Sequence, residues 1–239
     1  MGRDLEAPCP PGSSDWDELY RARGDEVVTY RPLFTGDICD HTPVLTPDGQ
    51  EHTKTVMVVQ HPCALRTNGV DLVSRLLVAE VRRHTIIPSE DWTKFIKVMP
   101  LPDLVPTVNT GKRHRAAFLS ELYLADPSKL GPRLACLSPL GVNLLLQRWV
   151  HQNSRVVVEA HRYNEVTCGP YEEADLTEDW CQERKGDGLT QTEATSECLA
   201  WLRQPHNTGG PLRQYLLADP QRRASVRQAA RAYVRSLHA

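Results

Sequence analysis

The order of apolar and polar positions divides the chain into a β-rich first part and a helical last part. Across residues 53–60 the β-branched run Thr55-Val56-Met57-Val58-Val59 reads as a buried strand, and residues 74–83, Ser-Arg-Leu-Leu-Val-Ala-Glu-Val-Arg-Arg, give a second. Shorter extended pieces are expected at 27–30, at 37–39 after the Thr35-Gly36-Asp37 turn, at 94–99 and at 116–123. Thr46-Pro47-Asp48-Gly49 is a turn by its chemistry, since Pro presets one dihedral and Gly supplies a positive φ, and Asn68-Gly69 lies between the two long strands. Residues 100–106 carry too many prolines for a central strand. Many short strands with close turn signals predict a small SH3-like β-barrel or a strongly bent antiparallel sheet.

After Leu137 the period changes. Ser138 at the N-cap and Pro139 at the first helical position open a helix running to about His151, and 155–159 reads as one further strand. Helices are expected over 171–184, 190–204, 212–217 and 220–237, with a shorter one over 15–23 capped by Ser14. The expected class is therefore α+β: a flexible arm over 1–14, a β-rich barrel-like domain with an inserted helix over 15–160, and a helical C-terminal region over 171–239.

Composition narrows the class of protein more than its chemistry. With 239 residues, 40% apolar and 24% charged, the chain is long enough for a real core and ordinary in make-up for a globular protein. A formal charge of −2 commits it to no polyanion, so any such affinity must be local. No apolar run reaches membrane-spanning length, which points to a cytoplasmic protein with no membrane partner. The seven cysteines form no CxxC pair, so reduced thiols are expected in place of a disulfide framework or a zinc ribbon. No Gly-rich phosphate loop, dinucleotide fingerprint, serine elbow or metalloprotease helix is present, and no cofactor is expected.

Three groups of residues could carry chemistry. His61 and Cys63, two apart at a strand exit, share a face, and with Arg66 they suggest a thiol nucleophile with a base and a cation beside it. Asp37, Cys39 and His41 could join them around a metal, but the spacing fits no standard site; a turn-capping Asp and a surface His are the expectation, with no metal. Arg223, Arg227, Arg231 and Arg235 recur every four residues and make one basic stripe, for which phosphates compete with the acids Glu172, Glu173, Asp175, Glu178, Asp179 and Glu183. Neutralisation within the chain or by a second copy is favoured there, because few aromatics interleave with the arginines. Lys112, Arg113 and Arg115 form a second basic cluster in a loop, where phosphate contact competes with solvation. The tryptophans read as core anchors.

Gly36-Asp37-Ile38, a polar loop, then Lys54-Thr55-Val56-Met57-Val58-Val59-Gln60 resembles the opening of the PemK/MazF toxin family. In that family a Gly-Asp-Ile strand start precedes an Arg-Pro-led strand of a small SH3-like barrel, and members cleave RNA without a metal. The resemblance covers residues 36–60 and implies that Lys54 stands in the place of a functional Arg, with Thr55 replacing the usual Pro. It has no counterpart here for the family's later Ser/Thr motif, and His61-Pro62-Cys63 lies outside it. The expectation is thus a bacterial, cytoplasmic protein with a nucleic-acid-directed role, RNA-binding or RNA-cleaving and toxin- or defence-like, whose partner is RNA or DNA. The alternatives are a non-catalytic module whose basic C-terminal helix meets an acidic protein or a second copy, and a Cys-dependent enzyme at Cys63.

Overall fold

The computed structural model describes residues 5–46, 48–105 and 113–237. The strands are β1 (Tyr20–Arg23), β2 (Asp37–Leu45), β3 (Glu51–Val58), β4 (Leu76–Arg83), β5 (Val98–Leu101), β6 (Arg115–Ala125) and β7 (Arg133–Leu137). The helices are α1 (Pro139–Ser154), α2 (Ala160–Lys185), α3 (Gln191–Leu202), α4 (Arg213–Ala218) and α5 (Arg223–Leu237). The described strands make one antiparallel sheet of seven in the order β1-β7-β2-β3-β4-β6-β5, so the class is α+β as the patterning indicates.

The sheet is bent back on itself. Val56, Met57 and Val58 of β3 are fully buried at its centre, as the β-branched run requires. In β2 the register to β3 shifts between Cys39 and Thr42, where His41 takes a left-handed φ of 46°. Such a bulge adds a residue and raises the local twist. Beyond it the end of β2 reaches β6 as well as β3, through Val44–Ala125 and Leu45–Leu124. The strongly bent sheet is therefore the form adopted.

The described residues fall into two compact units. One takes in Met1–Val27, Phe34–Leu65 and Val73–Glu165; the other takes in Val28–Leu33, Arg66–Leu72 and Val166–Ala239. In the first, Ser138 Oγ accepts from the Gly141 amide at 3.0 Å and starts α1, and Arg155 ends it in the left-handed region at φ 61°. α1 carries the fully buried Arg148, which donates to the carbonyls of Glu6 (2.9 Å) and Trp92 (3.2 Å). In the second unit Thr190 and Glu193 close a capping box on α3, and the rings of Trp180, Trp201 and Tyr233 lie 5.5 to 6.1 Å apart. Val226, Ala230 and Val234 form the buried stripe of α5. No described helix is long and apolar enough to cross a membrane.

Several boundaries differ from the sequence expectation. The expected helix over 15–23 is only a single turn, Asp17–Leu19, because Tyr20 to Arg23 pair with β7. Residues 27–30 form a turn and 155–159 an irregular segment, neither with a ladder partner. β7 was not expected: five residues between two prolines show no alternation to betray them. Pro100 does lie in a strand, but in β5 at the sheet's edge, where its missing N–H costs no ladder bond. α2 begins at Ala160 and carries Pro170 inside it, so the expected start at 171 is too late. The described part of the N-terminal arm, 5–14, lacks regular structure, yet Leu5 is buried and the Glu6 amide donates to Gln147 Oε1 at 2.8 Å, so it is packed and not free. The helical unit also recruits 28–33 and 66–72, which no boundary in the sequence marks.

Candidate functional site

The exit of β3 is pinned before it reaches the His–Cys pair. Gln60 Oε1 accepts from the Leu77 amide (3.1 Å) and its Nε2 donates to the Ala64 carbonyl (2.9 Å), while Thr35 Oγ1 donates to the Gln60 carbonyl. Pro62 then opens one helical turn, Pro62–Ala64. His61 Nδ1 accepts from the Cys63 amide at 3.3 Å and lies 2.9 Å from Cys63 Sγ. Since Nδ1 is an acceptor for the amide, the ring proton sits on Nε2 and the thiol donates to Nδ1. Burial lowers the His61 pKa from its ordinary 6.5, so the ring is neutral at neutral pH and available as a base.

The structure brings together only part of the expected thiol site. Cys63 is exposed, whereas Cys39, Cys136, Cys181 and Cys198 are buried, and burial pushes the Cys39 thiol up to about 12. Arg66 belongs to the other unit, where its Nη2 donates to the Leu33 carbonyl at 3.3 Å. A thiol and a neutral base in contact can pass a proton between them; a third group that orients the base is not among their recorded partners.

Lys54 is placed on β3 with its charge already answered. Its Nζ donates to Glu80 Oε2 at 2.9 Å and stands 5.3 Å over the Tyr123 ring, whose hydroxyl donates to the same oxygen at 3.1 Å. The Glu80 hydrogen bond raises the Lys54 pKa, which keeps it an ammonium and removes it as a base. The neighbouring Thr55 donates to Asp40 Oδ1 at 2.6 Å. Burial opposes the ionisation of Asp40, but the bonds from Thr55 and the His41 amide outweigh it and hold the carboxyl below its usual 3.8.

The remaining candidate ligands and cations are dispersed. No group of three metal-ligating side chains exists among the described residues. Asp37 is buried against Arg133 (3.3 Å) and accepts from the Phe34 amide, and His41 is exposed at the bulge. On α5, Arg223 bonds Glu172 at 2.5 Å, and Arg227 reaches Glu172 (2.8 Å), Asp179 (3.4 Å) and Asp175 (3.8 Å), so this half of the stripe is neutralised from α2. Arg231 and Arg235 are exposed and make no ion pair among the described residues. Arg113 is bound by Asp103 at 2.6 Å, and Lys112 lies outside the described residues.

One grouping was not anticipated in the sequence. Arg83 of β4 and Arg115 of β6 are direct cross-strand partners, which puts two like charges on one face of the sheet. Neither forms an ion pair among the described residues, and Arg115 Nε is buried without a hydrogen-bond partner. On the other face Arg82 lies 4.1 Å over the Phe118 ring, and its guanidinium reaches Glu80 and Glu121 only at 3.8 and 4.0 Å. His84 meets Phe95 and Phe118 at 6.1 and 6.2 Å. The run Arg82-Arg83-His84 closing an apolar strand was the available signal; which aromatics it would meet depends on β6 and on the segment before β5. No family model matches the chain, and no curated protein matches it.

Proposed function

We propose that the first unit binds single-stranded nucleic acid, RNA foremost, at the end of the β4–β6 pair. The observation that carries this reading is the Arg83–Arg115 pair. Like charges directly opposite in an antiparallel ladder destabilise it, and a bound phosphate removes that cost. On the opposite face of the same strand ends, the half-exposed rings of Phe118, Phe95 and His84 beside Arg82 offer a stacking surface, so a single strand passing over the end of the sheet meets phosphate contacts on one side and stacking on the other, the combination that sequence-tolerant single-strand binding uses. The role is one of binding and not of cleavage, because Lys54, the residue in the place of the toxin family's Arg, has its charge matched by Glu80. Seven free thiols suit a reducing cytoplasm as its location.

The test is fluorescence anisotropy of a labelled single-stranded RNA against salt. Three arginines contacting phosphate give a slope of log K on log salt of about −2, so affinity falls roughly 20-fold between 50 and 200 mM. Arg83→Ala or Arg115→Ala should each make that slope shallower by about 0.7. Absence of binding at 50 mM salt, or an unchanged slope in both variants, sinks the reading. The exposed Arg231 and Arg235 favour a second one, an acidic protein partner on α5. Arg231→Glu with Arg235→Glu tests it without disturbing the buried stripe that deletion of the helix would remove.

A further inference from the structure

We infer that Cys63 is a site of reversible mixed-disulfide formation with low-molecular-weight disulfides, assisted by His61. It stands apart from nucleic-acid binding and rests on three observations. Cys63 is the only cysteine of the exposed class among the described residues; Cys9 and Cys168 are half-buried and the others buried. Its sulfur lies 2.9 Å from an imidazole nitrogen whose lone pair is aimed at it, because the same nitrogen accepts the Cys63 amide at 3.3 Å. The turn that presents the pair is rigid, with the Gln60 side chain bonded to both Leu77 and Ala64 and Pro62 buried beneath. No charged side chain acts on His61: burial alone lowers its proton affinity, leaving the ring neutral and able to take a proton at neutral pH.

The step is a thiol–disulfide exchange. Cys63 Sγ attacks one sulfur of the disulfide as its proton passes to His61 Nδ1. A new Sγ–S bond forms, the original S–S bond breaks, and the displaced sulfur leaves with the electron pair. His61 then returns the proton to that thiolate. Cys63 is oxidised and the disulfide reduced by the same two electrons, so no further oxidant enters. A thiol of the same class reverses the reaction.

Glutathione disulfide is the probe. The full chain is incubated with it, quenched in acid, and mapped by peptide mass. The first adduct is expected at Cys63, forming at least about tenfold faster than at any other thiol. His61→Asn keeps a side-chain acceptor for the Cys63 amide but loses the base. At pH 7 it should slow the adduct by at least about threefold, because the attacking thiol loses the base that takes its proton. The two proteins should converge at high pH, where hydroxide takes the proton in both. A first adduct at another cysteine, or equal rates in the two proteins from pH 6 to 8, overturns the inference. The wild-type profile is a check that needs no variant: proton transfer to a neutral imidazole does not depend on hydroxide, so a rate rising a full tenfold per pH unit from 6 to 8 overturns it as well.

Discussion

Glu172 is the acid on which the neutralisation of α5 depends, and removing its charge has a calculable effect. Its two oxygens accept from Arg223 at 2.5 Å and from Arg227 at 2.8 Å. A charge-assisted bond of this kind contributes about 1.5–3 kcal/mol when shielded. Here Glu172 is 16% exposed and the two arginines 28% and 22%, so solvent screening brings each bond to about 0.5–1 kcal/mol. Glu172→Gln should therefore cost about 1–2 kcal/mol and lower Tm by about 2–8 °C in a chain of this length. Asp179→Asn is the control: its carboxylate is 51% exposed and meets Arg227 only at 3.4 Å, so it should cost less than about 0.5 kcal/mol. Urea unfolding followed by tryptophan fluorescence measures both, at low salt and at 1 M salt, where a Debye length of about 3 Å should reduce the Glu172 effect by half or more. Glu172→Gln should also lengthen retention on heparin, since Arg223 then loses its carboxylate partner and Arg227 keeps only Asp179 and Asp175. The reasoning fails if the two variants are equally stable, or if the Glu172 effect persists in full at high salt.

Three further outcomes follow from the first unit. His114 is buried, accepts from the Asp103 amide at 3.1 Å, and has its pKa lowered from 6.5 by burial, against the pull of Asp103. The unfolded chain then binds more protons below that value, so stability is complete above pH about 6.5 and falls as the pH drops through the folded pKa; His114→Asn should flatten part of that fall in unfolding curves. Arg148→Met orphans the Glu6 and Trp92 carbonyls while relieving a buried charge, and should cost about 2–4 kcal/mol in urea unfolding; a loss under about 0.5 would refute the role given to these bonds. Gly131→Ala would place a Cβ 1.8 Å from the Asp40 carbonyl oxygen, and should cost about 3 kcal/mol by thermal unfolding through separation of β2 from β7.

How much of the fold the sequence discloses follows from where each element gets its stability. β3 and β4 are central strands whose inner stretches, 56–58 and 78–81, are buried, so apolar residues run together there and their pattern stands out. α1 announces itself through Ser138 and Pro139, and the Thr190–Glu193 box that the structure shows at the start of α3 likewise acts within one turn of chain. β1 and β7 are short and stabilised by each other across more than a hundred residues, a contact that no window of local sequence contains. Pro170 misleads for a related reason. It ends a helix by local rules, but packing on both sides of it in α2 outweighs the loss of one backbone bond.

The candidate chemistry divides along the same line between local and long-range information. The His61–Cys63 contact is legible because alternation over two residues is enough to place both side chains on one face. The charge of Lys54 is not, because Glu80 reaches it from the next strand and turns a candidate catalytic cation into half of a neutral pair. The basic stripe on α5 shows both cases within one helix. Its spacing is read directly from four arginines, yet only the position of α2 decides that Arg223 and Arg227 are neutralised while Arg231 and Arg235 stay exposed. Conversely, Arg83 and Arg115 lie 32 positions apart in an otherwise ordinary pattern, and become a cross-strand pair of like charges only when β4 and β6 align. Charge counts along a sequence therefore mislead in both directions, and the cations that matter for a polyanion are those left over after the fold has paired the rest.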